Sequence, residues 1–433
     1  MTVELITTGS ELLLGRVLNT HVHWLGRQLA DLGMPLTHHV TVPDTAEAIR
    51  GAVQQALTRA DLVITTGGLG PTSDDVTRER IAELLGRRLH YRPEVEASIR
   101  AFFESRQRSM PERTRVEALV PEEAIVFLNR HGTAPGLALE VTPNPFRIGE
   151  LRSCLVLLPG PPRELQPMFE ESVRPWLDDR MPRVKAFVCQ TYKTTGLGES
   201  LMEARLETPL APLISQGLQV GYCARVGEVD VRFVADGAAA ETLVEAAREV
   251  LHQVAGEFVF GTGDDALEHC LVQSMTEQGQ TLALAESCTG GHLANRITNI
   301  PGASAVLLAG FIPYANEAKT QLLGVPAPML SKYGAVSEPV ARALAEGARS
   351  VSGADYAIGI TGIAGPSGGS DEKPVGTVFI SVSGPAGTTV VRHLNRFDRP
   401  TFKFLTAQQA FAQLRRQLLL DAAHSRETPK TVA

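Results

Sequence analysis

Short apolar runs that stop at a turn and hand over to a helical stretch are what most constrain the fold of this chain. Val3 to Thr8 reads as a strand, Thr20 to Leu32 as a helix stopped by Gly33, and Pro35 to Val42 as the next strand. Asp44 is read as the cap of a helix reaching Leu57. Asp61 to Thr66 is again a strand, and Asp75 to Leu85 a helix ended by Gly86. Ser153 to Leu158 makes a further strand, followed by a Pro-Gly-Pro-Pro turn and a helix from Glu164. This alternation implies a mostly parallel sheet covered by helices on both faces, because parallel neighbours need a crossover and a helix supplies it. The rhythm breaks between residues 185 and 258. There Val184 to Tyr192, Leu218 to Ala224 and Val229 to Ala235 read as strands of a small α+β unit, with helices at 198–207 and 239–254. It returns at residue 264 and runs to 421. The expected architecture is therefore α/β, with three-layer domains at 1–168 and 259–424, a small α+β domain at 169–258, and a disordered polar tail at 425–433.

A chain of 433 residues is too long for one ordinary core and agrees with that division. A net charge of −7 disfavours a phosphate-tracking surface, so no direct nucleic-acid partner is expected. Five cysteines (Cys154, Cys189, Cys223, Cys270 and Cys288) show no CxxC spacing, which points away from zinc and disulfides and toward a reducing, cytoplasmic setting. Met1 leads straight into the first strand, so no signal peptide is read, and no apolar run approaches the roughly 18 residues of a membrane span.

Two motifs fall at strand ends in the first domain: Thr7-Thr8-Gly9-Ser10-Glu11, and the run from Thr65 to Thr77 that contains Gly67, Gly68, Gly70, Thr72, Asp74 and Asp75. Ligands of open α/β sheets bind beyond the carboxyl ends of the strands, and small residues there let backbone N–H groups approach phosphate oxygens. Asp74 and Asp75, with Glu11 and Glu164 as further candidates, could hold a divalent metal over such phosphates. The plainer reading is that either aspartate caps the next helix.

Thr66-Gly67-Gly68-Leu69-Gly70-Pro71-Thr72 with Asp74, Asp75 and Thr77, together with Leu158-Pro159-Gly160-Pro161-Pro162-Arg163-Glu164, resembles the molybdopterin-binding MoaB/MogA-like family in the form found at the amino terminus of CinA proteins. The stretches 132–136 and 196–200 belong to the same resemblance. It implies a nucleotide pyrophosphatase acting on ADP-ribose, with a magnesium-like ion at Asp74, Asp75 and Glu11 and with phosphate at Gly67, Gly68, Gly70 and Thr72.

The carboxyl-terminal part carries a second constellation. The apolar run Thr281-Leu282-Ala283-Leu284-Ala285 precedes Glu286-Ser287-Cys288-Thr289-Gly290-Gly291, and a helix is read from Gly291. A serine at a strand-to-helix turn sits where backbone N–H groups converge, and such a spot favours an anion or an oxygen that becomes anionic. Ser287 needs a base. Lys319 qualifies if it is kept dry, and Tyr314 can assist. The set would suit amide cleavage, with the N–H groups of Cys288, Thr289 and Gly290 around the oxyanion. Each residue also has an ordinary reading: Ser287 and Thr289 as helix caps, Lys319 on a solvated helix face, Tyr314 as a half-buried aromatic. Cys288 could be the attacking group instead, Thr361 could bond its own loop, and Arg399 could be a surface arginine or a clamp on phosphate or carboxylate.

Glu286–Gly291, Tyr314-x-Asn316-x-x-Lys319, Gly334–Pro339, Gly362–Gly369 and Lys373–Val378 occur in the order of the nicotinamide-nucleotide amidohydrolase (PncC-type) domain that forms the carboxyl-terminal half of CinA proteins, which residues 264–420 resemble. The resemblance implies deamidation of nicotinamide mononucleotide without a cofactor. Ser287, Lys319 and Tyr314 would be catalytic; Thr361, Gly362, Gly365, Gly368 and Arg399, with the 288–290 turn, would hold substrate. It departs at Phe397-Asp398-Arg399, where the family carries Gly-Asp-Arg, and at Pro313, where threonine is usual. The expected partners are small nucleotides and a second copy of the chain in a homodimer.

Overall fold

The computed structural model describes residues 1–149, 151–181 and 187–427, with side chains to His424. It divides into two compact units, residues 1–188 with 236–240, and the remainder from 189 onward. The first holds β1 (Val3–Thr8), β2 (His38–Val42), β3 (Leu62–Thr66), a ribbon of β4 (Leu89–Tyr91) and β5 (Leu119–Pro121), then β6 (Ile125–Phe127), β7 (Gly136–Val141) and β8 (Ser153–Leu158). Its six-stranded sheet has the order β2-β1-β3-β8-β7-β6, with the first four strands parallel and the last two antiparallel.

β1, β3 and β8 are buried along their whole length, as central strands covered on both faces must be. On one face Val3, Leu5, Leu62 and Ile64 pack with Leu25 and Leu29 of the helix His21–Asp31. On the other, Ile6, Val63, Leu155 and Leu157 pack with Ile49 and Val53 of the helix Ala46–Leu57. The helical run that begins at Pro162 goes on to Arg180 and places Phe169, Val173 and Leu177 in this core.

Two helix starts differ from the sequence reading. Thr45, not Asp44, caps Ala46–Leu57 by accepting the Ala48 N–H, while the Asp44 carboxylate takes the Ser10 N–H at 2.7 Å. The next helix begins at Thr77 rather than Asp75, because Asp75 folds back onto Thr72.

The second unit opens with a four-stranded sheet of β9 (Phe187–Thr195), β10 (Gln219–Arg225), β11 (Glu228–Asp236) and β12 (Val259–Thr262), ordered β10-β11-β9-β12. The Val184–Ala186 part of the expected strand lies outside the described residues. The helix expected at 198–207 extends over Glu199–Ile214, where burial of Met202, Leu206 and Leu210 carries it past Pro209.

A five-stranded sheet follows: β13 (Leu282–Glu286), β14 (Leu307–Phe311), β15 (Tyr356–Gly362), β16 (Thr377–Gly384) and β17 (Gly387–Leu394), ordered β14-β13-β15-β16-β17. The first three strands in that order are parallel and the last two antiparallel. Leu282, Leu284, Ile358 and Ile360 face the helix Leu267–Glu277 and the long helix Arg399–Glu427. Ala283, Ala285 and Ala357 face Val340, Leu344 and Ala348 of the helix Glu338–Ser352. The last helix runs into the expected tail as far as Glu427, with no glycine or proline to stop it before Pro429; residues 428–433 lie outside the described set. No described helix is long and apolar enough to cross a membrane.

Candidate functional site

In the second unit the carboxyl end of β13 leads directly into the Ser287 turn. Gly290 and Gly291 take φ of 61° and 86°, left-handed values that a side chain would strain, so the Gly-Gly pair is what lets the chain reverse into the helix His292–Thr298. Neither Ser287 nor Thr289 caps that helix. Glu286, itself buried, does so from the preceding strand by accepting the N–H groups of Leu293 (3.1 Å) and Ala294 (2.9 Å). Of the three N–H groups expected around an oxyanion, Gly290's is used within the turn by the Ser287 carbonyl at 3.2 Å. Those of Cys288 and Thr289 meet no backbone carbonyl among the described residues.

Lys319 lies on the helix Asn316–Leu323 and is only 2% exposed, so the solvated-lysine reading does not hold. Its Nζ donates to the carbonyls of Pro313 (2.9 Å) and Tyr314 (3.1 Å), and no carboxylate pairs with it among the described residues. Burial holds its pKa below the 10.5 of an exposed lysine, while the nearby Cys288 thiol and Glu317 act weakly against the shift. No hydrogen bond joins Lys319 to the Ser287 hydroxyl; such bonds commonly tighten only when substrate is bound.

Tyr314 is 60% exposed, and its hydroxyl accepts from Arg399 Nη2 at 3.0 Å. Arg399 Nη1 donates to the Gly365 carbonyl at 2.9 Å, so one guanidinium gathers the tyrosine and the 362–369 loop. Thr361 instead spends its hydroxyl on the Ala335 carbonyl at 2.8 Å and is buried; it fastens the 334–337 loop to the end of β15. Gly362 continues β15, and Gly368 lies in an exposed loop at φ 95°. The Cys288 side chain packs into the core, where burial pushes its thiol up to about 12, leaving almost no thiolate at neutral pH. Its nucleophile reading is therefore not supported. Lys403, on the helix where the family usually carries further arginines, places its Nζ 3.8 Å from where a Cβ on Gly290 would stand.

In the first unit the loop after β3 carries the glycine run. A Cβ on Gly68 would lie 2.1 Å from Thr77 Oγ1, and φ there is +68°, so only glycine fits. The Gly67 N–H bonds the Leu158 carbonyl at 3.0 Å, whereas those of Gly68, Leu69 and Gly70 have no backbone partner among the described residues. Three free donors on one loop make an anion cradle.

Asp74 and Asp75 converge on the Thr72 hydroxyl at 2.5 and 2.6 Å, and the Thr72 bond lowers the Asp74 pKa. Glu11 stands apart in the short helical turn Ser10–Leu13, and among the described residues no group of three or more His, Cys, Asp or Glu is gathered around one point. The aspartate pair fits an ion that draws its other ligands from phosphate and water, as magnesium does; a three-carboxylate set with Glu11 does not fit.

Two further groups at this end, His21 and Glu117, were not singled out from the sequence, whereas Glu164 was, as a further metal candidate. His21 meets Thr66 Oγ1 at 3.1 Å, with its pKa lowered by burial. Glu164 accepts from Asn129 at 2.9 Å, and burial raises its pKa. Glu117 is fully buried, with one oxygen on Thr133 at 3.1 Å and the other unpartnered; burial pushes its carboxyl up to about 8. Asn129 also lines a cavity of about 580 Å³ bordered by Phe127, Arg130 and Met168.

Comparison with known proteins agrees with both halves. Residues 4–179 match the family described as a probable molybdopterin binding domain, 189–261 the damage-inducible protein CinA KH domain, and 264–418 the CinA C-terminal domain. A putative competence-damage inducible protein of Symbiobacterium thermophilum is 43% identical over 432 residues, spanning 97% of this chain and 99% of the relative. The chain belongs to the CinA family. A CinA-like protein of Akkermansia muciniphila is likewise 43% identical, over 95% of this chain and 96% of its own length. Among solved structures, the competence/damage inducible protein of Agrobacterium tumefaciens is 40% identical over 34% of this chain and 91% of its own, with a TM-score of 0.33. This chain is thus a CinA-family protein with a MoaB/MogA-like domain, a KH domain and the CinA C-terminal domain.

Proposed function

We propose that the carboxyl-terminal domain deamidates nicotinamide mononucleotide, giving nicotinate mononucleotide and ammonia. The observation that carries this reading is the buried Lys319, which pairs with no carboxylate among the described residues and whose ammonium form is disfavoured by burial. Its two carbonyl acceptors use two N–H bonds, so the uncharged amine keeps its lone pair for a third direction. Ser287 attacks the carboxamide carbon, or orients a water that does, and the proton passes to Lys319. Lys319 returns it to the departing nitrogen, so that ammonia leaves as the C–N bond breaks. Water supplies the oxygen of the product carboxylate. Tyr314, whose hydroxyl accepts from Arg399, keeps its own proton to donate to substrate. Arg399 retains donors beyond the two it uses and is suited to a phosphate. The test is ammonia release from nicotinamide mononucleotide by wild type, Ser287→Ala and Lys319→Ala. Full activity in both variants would refute the mechanism. Inactive wild type would favour a binding or regulatory protein of the competence or damage response named in its relatives.

For the amino-terminal domain we propose hydrolysis of ADP-ribose to AMP and ribose 5-phosphate. The free N–H groups of Gly68, Leu69 and Gly70 support it, as does the aspartate pair at Thr72. A divalent ion at Asp74 and Asp75 would supply charge neutralisation at the phosphates. AMP release that depends on added magnesium and is lost in Asp74→Ala is the matching result; AMP release indifferent to both would refute it.

A further inference from the structure

The middle domain and the catalytic turn are joined by a single buried amide. Gln408 is fully buried on the helix Arg399–Glu427. Its Nε2 donates to Glu228 Oε1 at the start of β11, and its Oε1 accepts from Arg296 Nη2 at 2.6 Å on the helix that follows the Ser287 turn. Only one orientation of the amide satisfies both neighbours, because a carboxylate cannot donate and a guanidinium cannot accept.

Both ends of this bridge are fixed. Glu228 also meets Lys193 at 3.1 Å, and Lys193 pairs with Asp230 at 2.6 Å, so the carboxylate is held within the middle sheet. The tip of the β10–β11 hairpin lies directly on Gln408: a Cβ on Gly227 would come within 2.7 Å of its Cγ. On the other side, Arg296 is paired with Glu268 at 2.7 Å and stacks over Phe404 and Phe411. The helix bearing Arg296 starts on the carboxylate of Glu286, the residue just before Ser287. A shift of Arg296 therefore pulls on the segment that sets the serine's position. In a buried setting an unpartnered member of such a chain costs more than the bond was worth, so the links tend to hold or fail together.

We propose that Gln408 is a positioning residue that transmits the seating of the β10–β11 hairpin to the Ser287 turn. The reaction served is the deamidation proposed above, and the bracing itself is independent of that reading. It gives the middle domain a role in holding the catalytic segment.

Hydrogen exchange across residues 286–298 of the full-length protein tests this without substrate. Gln408→Leu and Glu228→Ala are each expected to speed exchange of that segment about tenfold, although Glu228 lies on the middle domain. The double variant should add nothing further, since both cut one path. The reciprocal swap, Glu228→Gln with Gln408→Glu, keeps one amide and one carboxylate between Lys193 and Arg296 and should restore most of the protection. Glu228→Ala carries the test alone if Gln408→Leu fails to fold. Unchanged exchange at 286–298 in a folded Glu228→Ala protein, or a swap no better than the single changes, would overturn the proposal. Where deamidation is measured, kcat should fall in Glu228→Ala while KM holds; loss of substrate binding instead would also count against it. An inactive wild type would remove the proposed reaction and leave the exchange result standing.

Discussion

At the scale of single residues, two buried ionisable groups make opposite statements about protons. Burial disfavours the ammonium form of Lys319 and so makes a base of it. Its removal in Lys319→Ala should lower kcat/KM for ammonia release by about a hundred- to ten-thousandfold. Because the amine works only when uncharged, the wild-type rate should climb with pH through a midpoint below the 10.5 of a free lysine. A residual Lys319→Ala activity should lack that limb; a pH profile shared by both proteins would remove Lys319 as the base. Burial acts on Glu117 by keeping the proton on. Its unfolded value of 4.5 rises to about 8 in the fold, so between those pH values the unfolded chain ionises while the native one cannot. Stability contributed by this group is therefore full below 4.5 and lost as pH rises toward 8, on the order of 1.4 kcal/mol per pH unit at most. Glu117→Gln should gain on wild type across that window in denaturant titrations, and parallel curves would show that Glu117 ionises freely.

At the scale of elements, the glycine loop after β3 should be the least forgiving segment of the first unit. Gly68→Ala adds a methyl group 2.1 Å from Thr77 Oγ1 at a left-handed backbone position. A loss of about 2–4 kcal/mol is expected. Thr77→Ala in the same chain should return part of it, since the hydroxyl is the nearest obstacle; a double variant no more stable than Gly68→Ala would place the strain in the backbone alone. This level also separates what was legible in the sequence from what was not. β1, β3, β8 and β13 were legible because central parallel strands are unbroken apolar runs, and the Ser287 turn because its glycines mark a reversal between such a run and a helix. Asp44 and Thr45 are both good caps, and only the approach of Ser10, on another segment, assigns Asp44 elsewhere. Glu117, His21 and Gln408 were not legible, since the first two owe their shifted titration to burial, and the third its role to Glu228 and Arg296, none of which shows in the local sequence. The sequence places Glu11 at a strand end but does not show whether it joins Asp74 and Asp75, and no such group of three is gathered among the described residues.

At the scale of the molecule, the residues named for each proposed chemistry fall within one unit. Asp74, Asp75 and the 67–72 loop belong wholly to the first; Ser287, Lys319, Tyr314 and Arg399 belong wholly to the second. Since the named residues of each set fall in different units, the activities should be separable by point substitution. Asp74→Ala should abolish AMP release from ADP-ribose and leave ammonia release from nicotinamide mononucleotide within about twofold of wild type. Lys319→Ala should do the converse, because additivity is the rule for sites with no shared partners. Asp74 is exposed, so Asp74→Ala should stay folded; Lys319→Ala leaves the carbonyls of buried Pro313 and exposed Tyr314 without their donor, so its folding is checked by circular dichroism before assay. Assaying both substrates against both proteins makes a closed square. Loss of both activities from Asp74→Ala alone would mean that the units are energetically coupled, and the independent-site reading would have to be abandoned even if each activity were real.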